Sequence, residues 1–205
     1  MWFHVDGAQS AGMIPVDLTD IGCDSYATSG HKWMGGPRGT GVLYIAKAKL
    51  DEVECSHLGG HSEASYSLPD ELSYRDSASR HEYGTRNTEL VEGLRVAMEF
   101  QQSIGLERIE AYGSGLATYL IEALSEIDSI EVLTPADPAM RRSIVTFRSS
   151  KIDFDDLNGA MGRDYRLRCR RVTEAGLNAV RVSTHIYNSK IDCDRVIEAV
   201  SAIVG

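Results

Sequence analysis

Long apolar stretches are absent from this 205-residue chain: no run approaches the roughly 18–20 residues a bilayer-spanning helix needs. Basic charge is in short supply as well. Thirty Asp and Glu face 21 Lys and Arg, a formal net charge of −9, which argues against a general nucleic-acid binder with its basic face. Cysteine is sparse and scattered. Cys23, Cys55, Cys169 and Cys193 form no C-x-x-C pair, so neither a metal site nor a disulfide framework is expected and the thiols read as reduced. The first residues, MWFHVDGAQSAG, lack the basic segment, apolar run and cleavage site of a secretory signal, and a cytoplasmic location is the expectation. Lysine itself is rare: five lysines stand beside sixteen arginines, and arginine is the better residue for gripping carboxylates and phosphates in fixed geometry.

What remains is a globular composition, 42% hydrophobic and 25% charged, on a chain long enough for one large domain or two small ones. Residues 2–6, 22–29 and 41–45 read as strands, the third with its apolar residues running together as in a sheet covered on both faces. Residues 51–80, rich in Ser, Gly and His, read as a long loop. Helical periodicity follows over 87–104, with Asn87 as cap and Gly105 as stop, and again over 106–127. Strands are expected at 129–133, 143–147, 165–169 and 179–183, with helices over 153–161 and 190–204. The order of elements suggests an α/β chain. Part of a mostly parallel-sheet domain fills residues 1–100, and a smaller α+β domain fills 101–205.

One lysine sits in an unusual setting, TSGHKWMGGPRGTG at 28–41. The glycines do not fit the G-x-x-x-x-G-K-[ST] phosphate loop, and a strand rather than a helix follows them. If strands 2–6 and 24–28 are parallel neighbours, Asp6 and the Ser29–Lys32 turn share the carboxyl ends of a sheet, where ligands of open α/β folds bind. An acid, an amide (Gln9), a hydroxyl (Ser29), an imidazole (His31) and an amine (Lys32) would then converge. Pyridoxal phosphate needs such a set: an amine for its aldehyde, an acid for its ring nitrogen, and donors for its ring oxygen and phosphate.

The segments HVDGAQSAG (4–12) and SGHKWMGGPRGTGVLY (29–44), 26 positions apart from Asp6 to Lys32, resemble the cofactor signature of class V aminotransferases. That fold-type I family includes cysteine desulfurases and isopenicillin N epimerase-like proteins. The stretches EYGTRNTELVEGLRVAMEF (82–100) and RVSTHIYNS (181–189) extend the resemblance over nearly the whole chain. It implies the C-terminal part of a pyridoxal-phosphate-dependent transferase fold, with further large-domain sequence ahead of Met1. It also implies a small amino-acid substrate. By the same resemblance Lys32 is the Schiff-base lysine, Asp6 pairs with the pyridine nitrogen, and Gln9 donates to the ring oxygen. Ser29 and His31 bind the phosphate, Thr85 reaches the phosphate of a neighbouring subunit in a homodimer, and Arg181 holds the substrate carboxylate.

Cysteine desulfurases of this type carry a nucleophilic thiol, in an H-C-A context, upstream of the carboxylate-binding arginine. Here RLRCRRVTEAGLNAVR (166–181) has no histidine before Cys169, whose expected strand parity with Leu167 makes it an apolar filler. Aminotransferase, epimerase or lyase chemistry is therefore the leading expectation. Cysteine desulfurase or selenocysteine lyase activity is the alternative, as is a non-catalytic fragment that keeps a dimerisation surface. His57, His61 and His81, around the long loop, read as structural.

Overall fold

The computed structural model describes residues 1–205, which divide into two compact units, Met1–Ile104 and Gly105–Gly205. The first unit opens with β1 (His4–Asp6), a one-turn helix α1 (Leu18–Ile21), β2 (Ser25–Ser29) and β3 (Gly41–Ile45). Asp17 starts α1 by accepting from the backbone of Thr19 and Asp20, and Gly22 ends it in the left-handed conformation. The sheet order is β1-β2-β3. β1 and β2 are parallel, with Asp6 opposite Ala27, whereas β3 returns antiparallel, with Gly41 opposite Ser29. Both β1 and β3 are edge strands. Contrary to the covered strand expected at 41–45, Val42 and Leu43 are 43% and 47% exposed.

The segment 51–80 is not a featureless loop. It holds an antiparallel hairpin of β4 (Glu63–Ser67) and β5 (Glu71–Tyr74), followed by a 3-10 turn at Ala78–His81. Serine alternates with tyrosine and leucine along it, but the face that Tyr66, Leu72 and Tyr74 share stays exposed, so no buried side marks it out. Helix α2 (Thr88–Ile104) begins where the Asn87 side chain accepts from the Leu90 N–H. Gly105, at φ 97°, ends it in a conformation that L side chains avoid.

In the second unit, α3 (Leu106–Ser125) precedes β6 (Ile130–Val132), β7 (Ile144–Ser149), α4 (Phe154–Tyr165), β8 (Arg170–Val172), β9 (Ala179–Ser183) and α5 (Lys190–Val204). The four strands form an antiparallel sheet in the order β6-β7-β9-β8. Val145, Phe147, Val180 and Val182 point from it into a core completed by Leu120 and Leu124 of α3, Leu157 and Met161 of α4, and Val196 and Val200 of α5. Each such aliphatic side chain contributes about 1.5–3 kcal/mol by leaving water. The strand expected at 165–169 is absent. α4 runs on to Tyr165, and Arg166 caps it with left-handed backbone while its N–H bonds to Met161. The chain is extended only from Arg170. Alternation of Arg with Leu and Cys imitates a strand, but Leu157 and Met161 hold the helix one turn longer.

Candidate active site

The parallel pairing of β1 and β2 sends the chain out of both strands on one side of the sheet. Asp6 is the last residue of β1, and Ser29 the last of β2. Residues 30–34 follow β2 as a turn, closed by Gly36 N–H to the Gly30 carbonyl at 2.8 Å and Gly35 N–H to the Lys32 carbonyl at 3.1 Å. The glycines thus close the lysine turn and lead back into β3.

The loop after β1 is locked against this turn. Gly7 donates to the Ala27 carbonyl at 2.8 Å and accepts from Thr28 Oγ1 at 3.0 Å, and Tyr26 Oη bonds Ser10 Oγ at 2.8 Å. Gly12, at φ 88°, lies flat on the turn, and a Cβ there would come within 2.5 Å of the Met34 nitrogen. Trp33 Nε1 donates to Gln9 Oε1 at 2.8 Å. From α2, the buried Gln101 donates through Nε2 to the Trp33 carbonyl at 2.5 Å. Two neighbours therefore hold Trp33 while the adjacent Lys32 side chain is exposed, with no salt bridge or hydrogen bond of its own.

The polar groups that remain fit the cofactor set read from the sequence. Asp6 uses Oδ1 to accept from the Ala8 N–H at 3.0 Å, leaving Oδ2 for a protonated ring nitrogen. Because the Gln9 carbonyl oxygen takes the indole proton, its amide NH2 is the end left to donate, as a ring hydroxyl oxygen requires. The Ser29 hydroxyl is half-buried at the strand end, and His31 is exposed at the head of the turn. Thr85 is exposed after Gly84, on the segment between the Ala78–His81 turn and α2, and forms no hydrogen bond to this group.

Arg181 belongs to the second unit, on β9, between Thr146 of β7 and Arg170 of β8. Its neighbours Val180 and Val182 enter the core, so its guanidinium lies on the opposite face of the sheet. Arg170 is paired with Glu174, but Arg181 has no carboxylate partner, and its Nε is enclosed without a hydrogen bond. Burial, reinforced by the Arg170 charge and partly offset by Glu174, holds its pKa below the ordinary arginine value. A half-buried, unpaired guanidinium of this kind suits a carboxylate ligand. Cys169 packs against the core, and burial pushes its thiol up to about 11.

Sequence reasoning missed the Gln9–Trp33 bond and the role of Gln101. A signal for the second exists: Gln101 falls two turns after Leu94 on the apolar stripe of α2, a polar residue where burial is due.

Comparison with known proteins places this geometry. The profile of the family Aminotransferase class-V matches residues 1–196. A probable cysteine desulfurase of Halalkalibacterium halodurans is 34% identical over 198 residues, 93% of this chain and 48% of the relative. A cysteine desulfurase of Escherichia coli is 32% identical over 208 residues, 97% of this chain and 50% of the relative. Among solved structures, the apo cysteine desulfurase of Thermococcus onnurineus superposes with a TM-score of 0.90 at 30% identity, covering 99% of this chain and 52% of that one. The chain thus spans about half the length of the relatives it matches. Its fold is the corresponding part of a pyridoxal-phosphate-dependent transferase.

Proposed function

The chain belongs to the Aminotransferase class-V family, and on that premise we propose that it carries the lysine side of a pyridoxal-phosphate enzyme acting on a small amino acid. The observation that carries the proposal is the delivery of Asp6 and Lys32 to the same edge of a parallel strand pair, with their functional groups open. Pyridoxal phosphate, when bound, supplies an electron sink for charge left on the substrate α-carbon. The chain supplies the rest. Lys32 would hold the cofactor through Nζ and then move the α-proton, its reach fixed by the closed turn beneath it. Asp6 Oδ2 would keep the ring nitrogen protonated, and the Gln9 amide, oriented by Trp33, would donate to the ring oxygen. Ser29 and His31 would hold the phosphate, with Thr85 reaching the phosphate of a second copy in a homodimer. Arg181 would bind the substrate carboxylate. No helix is long and apolar enough to cross a membrane. A cytoplasmic location is a separate part of this proposal.

Aminotransferase, epimerase or lyase outcomes all use this proton transfer. A second reading, carbon–sulfur cleavage as in a cysteine desulfurase or selenocysteine lyase, is favoured by the names of the relatives. Against it stands Cys169, packed against the core with its thiol pushed up to about 11, which makes it a poor nucleophile.

Borohydride reduction of the purified chain after incubation with pyridoxal phosphate tests the assignment. The expected result is one pyridoxyl adduct, mapped by peptide mass spectrometry to Lys32 and lost in Lys32→Ala. An adduct spread over several lysines, or none, would count against a lysine site in this chain and for a non-catalytic fragment.

A further inference from the structure

The four thiols are in very different settings. Cys23 and Cys193 are buried, and Cys169 packs against the core of the second unit. Burial pushes both Cys193 and Cys169 up to about 11. Cys55 shares the half-burial of Cys169 but lies in a surface loop, with its Sγ 3.7 Å from His81 Nδ1 and 3.8 Å from the Arg80 carbonyl oxygen.

This pairing is held by the backbone around it. The His57 ring stacks on Tyr83 with centroids 5.3 Å apart. Gly59 presses on the same segment, where a Cβ would come within 3.3 Å of the Gly84 nitrogen. Arg80, itself buried, is fixed by Nε donating to the Arg75 carbonyl at 2.7 Å and Nη1 to Asp51 at 3.0 Å. Loop and segment are therefore clipped on both sides of the Cys55–His81 contact.

His81 also borders a cleft of 950 Å³ that runs between β3, the Ala78–His81 turn and α2, with Ser79, Arg86 and Leu90 among its walls. Its Nε2 is enclosed and has no hydrogen-bond partner. The thiol proton can be donated to the Arg80 carbonyl or to Nδ1, and the tautomer with its ring proton on Nε2 leaves the Nδ1 lone pair facing Sγ. Burial and the adjacent Arg80 charge lower the pKa of His81, so the ring is neutral near pH 7 and able to take a proton.

We propose that Cys55 is a thiol-exchange site for low-molecular-weight disulfides, with His81 as its proton acceptor. Cys55 Sγ attacks one sulfur of the incoming disulfide as its proton passes to His81 Nδ1. The Cys55–sulfur bond forms, the original S–S bond breaks, and the departing thiolate takes the proton from His81 and leaves as a thiol. Nothing beyond the incoming disulfide is consumed. The site is independent of Lys32 chemistry and would operate whether or not cofactor is bound.

The test reacts the whole folded chain with oxidised glutathione, and in parallel with an aryl disulfide that releases a coloured thiolate, and maps the adducts by peptide mass spectrometry. Cys55 is expected to form the first and dominant mixed disulfide, with Cys23, Cys169 and Cys193 labelled only after denaturation. H81F, which keeps a ring but no proton acceptor, is expected to slow the Cys55 reaction about tenfold, a modest value for general-base assistance. First labelling at any other cysteine overturns the proposal, as does an unchanged Cys55 rate in folded H81F. Should H81F fail to fold, the map of the unsubstituted chain still decides, because it depends on no variant.

Discussion

Residues 105–205 put one face of a four-stranded sheet against three helices, and ten or so side chains there are cut off from solvent altogether. Residues 1–104 organise their polar groups far more tightly than their apolar ones. Trp33, Met34, Leu50 and Leu94 are buried, yet β1 and β3 are both open edges and Val42, Val91 and Phe100 face water. The unit with the thinner core is the one that positions Asp6, Gln9, Ser29, His31 and Lys32. Hydrogen bonds and close glycine contacts, not hydrophobic bulk, define that site. Such a site depends on individual partners, whereas the other unit depends on volume.

The sharpest way to break this comparison is to separate its halves. Residues 105–205 expressed alone should unfold in one cooperative urea transition, and residues 1–104 alone should give a shallow one; two equal transitions would erase the contrast. Within the intact chain, Phe147→Ala should cost about 3–5 kcal/mol in urea denaturation, the usual effect of emptying a fully buried aromatic site. Gln101→Leu keeps volume but leaves the Trp33 carbonyl without its donor, and should cost about 1–3 kcal/mol. Its stronger signature should be weaker pyridoxal-phosphate uptake at Lys32, since the turn loses an anchor. Gln9→Leu should cost less, about 0.5–1.5 kcal/mol, because the part-buried indole N–H of Trp33 loses its acceptor, and should reduce that uptake through loss of the open amide.

The smallest effect concerns α5. Ser189 and Asp192 form a reciprocal capping box, and hydrogen bonds from the Ser189 backbone and hydroxyl hold the Asp192 carboxyl below the usual carboxylate range. A carboxyl whose folded pKa is depressed stabilises above its unfolded pKa and loses that contribution as pH falls through the folded value. Asp192→Asn should therefore lower stability at neutral pH and converge with the parent chain in acid, followed by thermal melts at several pH values.

Much of this was legible beforehand, and the exceptions share a cause. Asn87, Gly105 and the apolar stripe of α3 are local signals, and the helices lie where those signals put them. The Asp6–Lys32 pattern likewise pointed to two strand ends meeting, and β1 and β2 are parallel. Failure came where distant packing overrides local pattern. Residues 165–169 alternate like a strand but follow a helix held by Leu157 and Met161. The β4–β5 hairpin is stabilised by backbone pairing between serine- and tyrosine-rich strands, with no buried face to announce it. Trp33 carries no local signal of its role, because its partners, Gln9 and Gln101, lie 24 and 68 positions away.

That placement of Trp33 makes the site optically readable. The chain has two tryptophans, and they differ sharply: Trp33 is 6% exposed with its indole N–H bonded to Gln9, while Trp2 is 39% exposed. Emission from Trp33 should lie to the blue of Trp2 and resist quenching by iodide. Any occupant that drew the Gln9 amide toward itself would pull on the indole proton. Steady-state fluorescence of a Trp2→Phe variant would thus report ligand arrival beside Lys32 without a label, a substrate or a completed reaction.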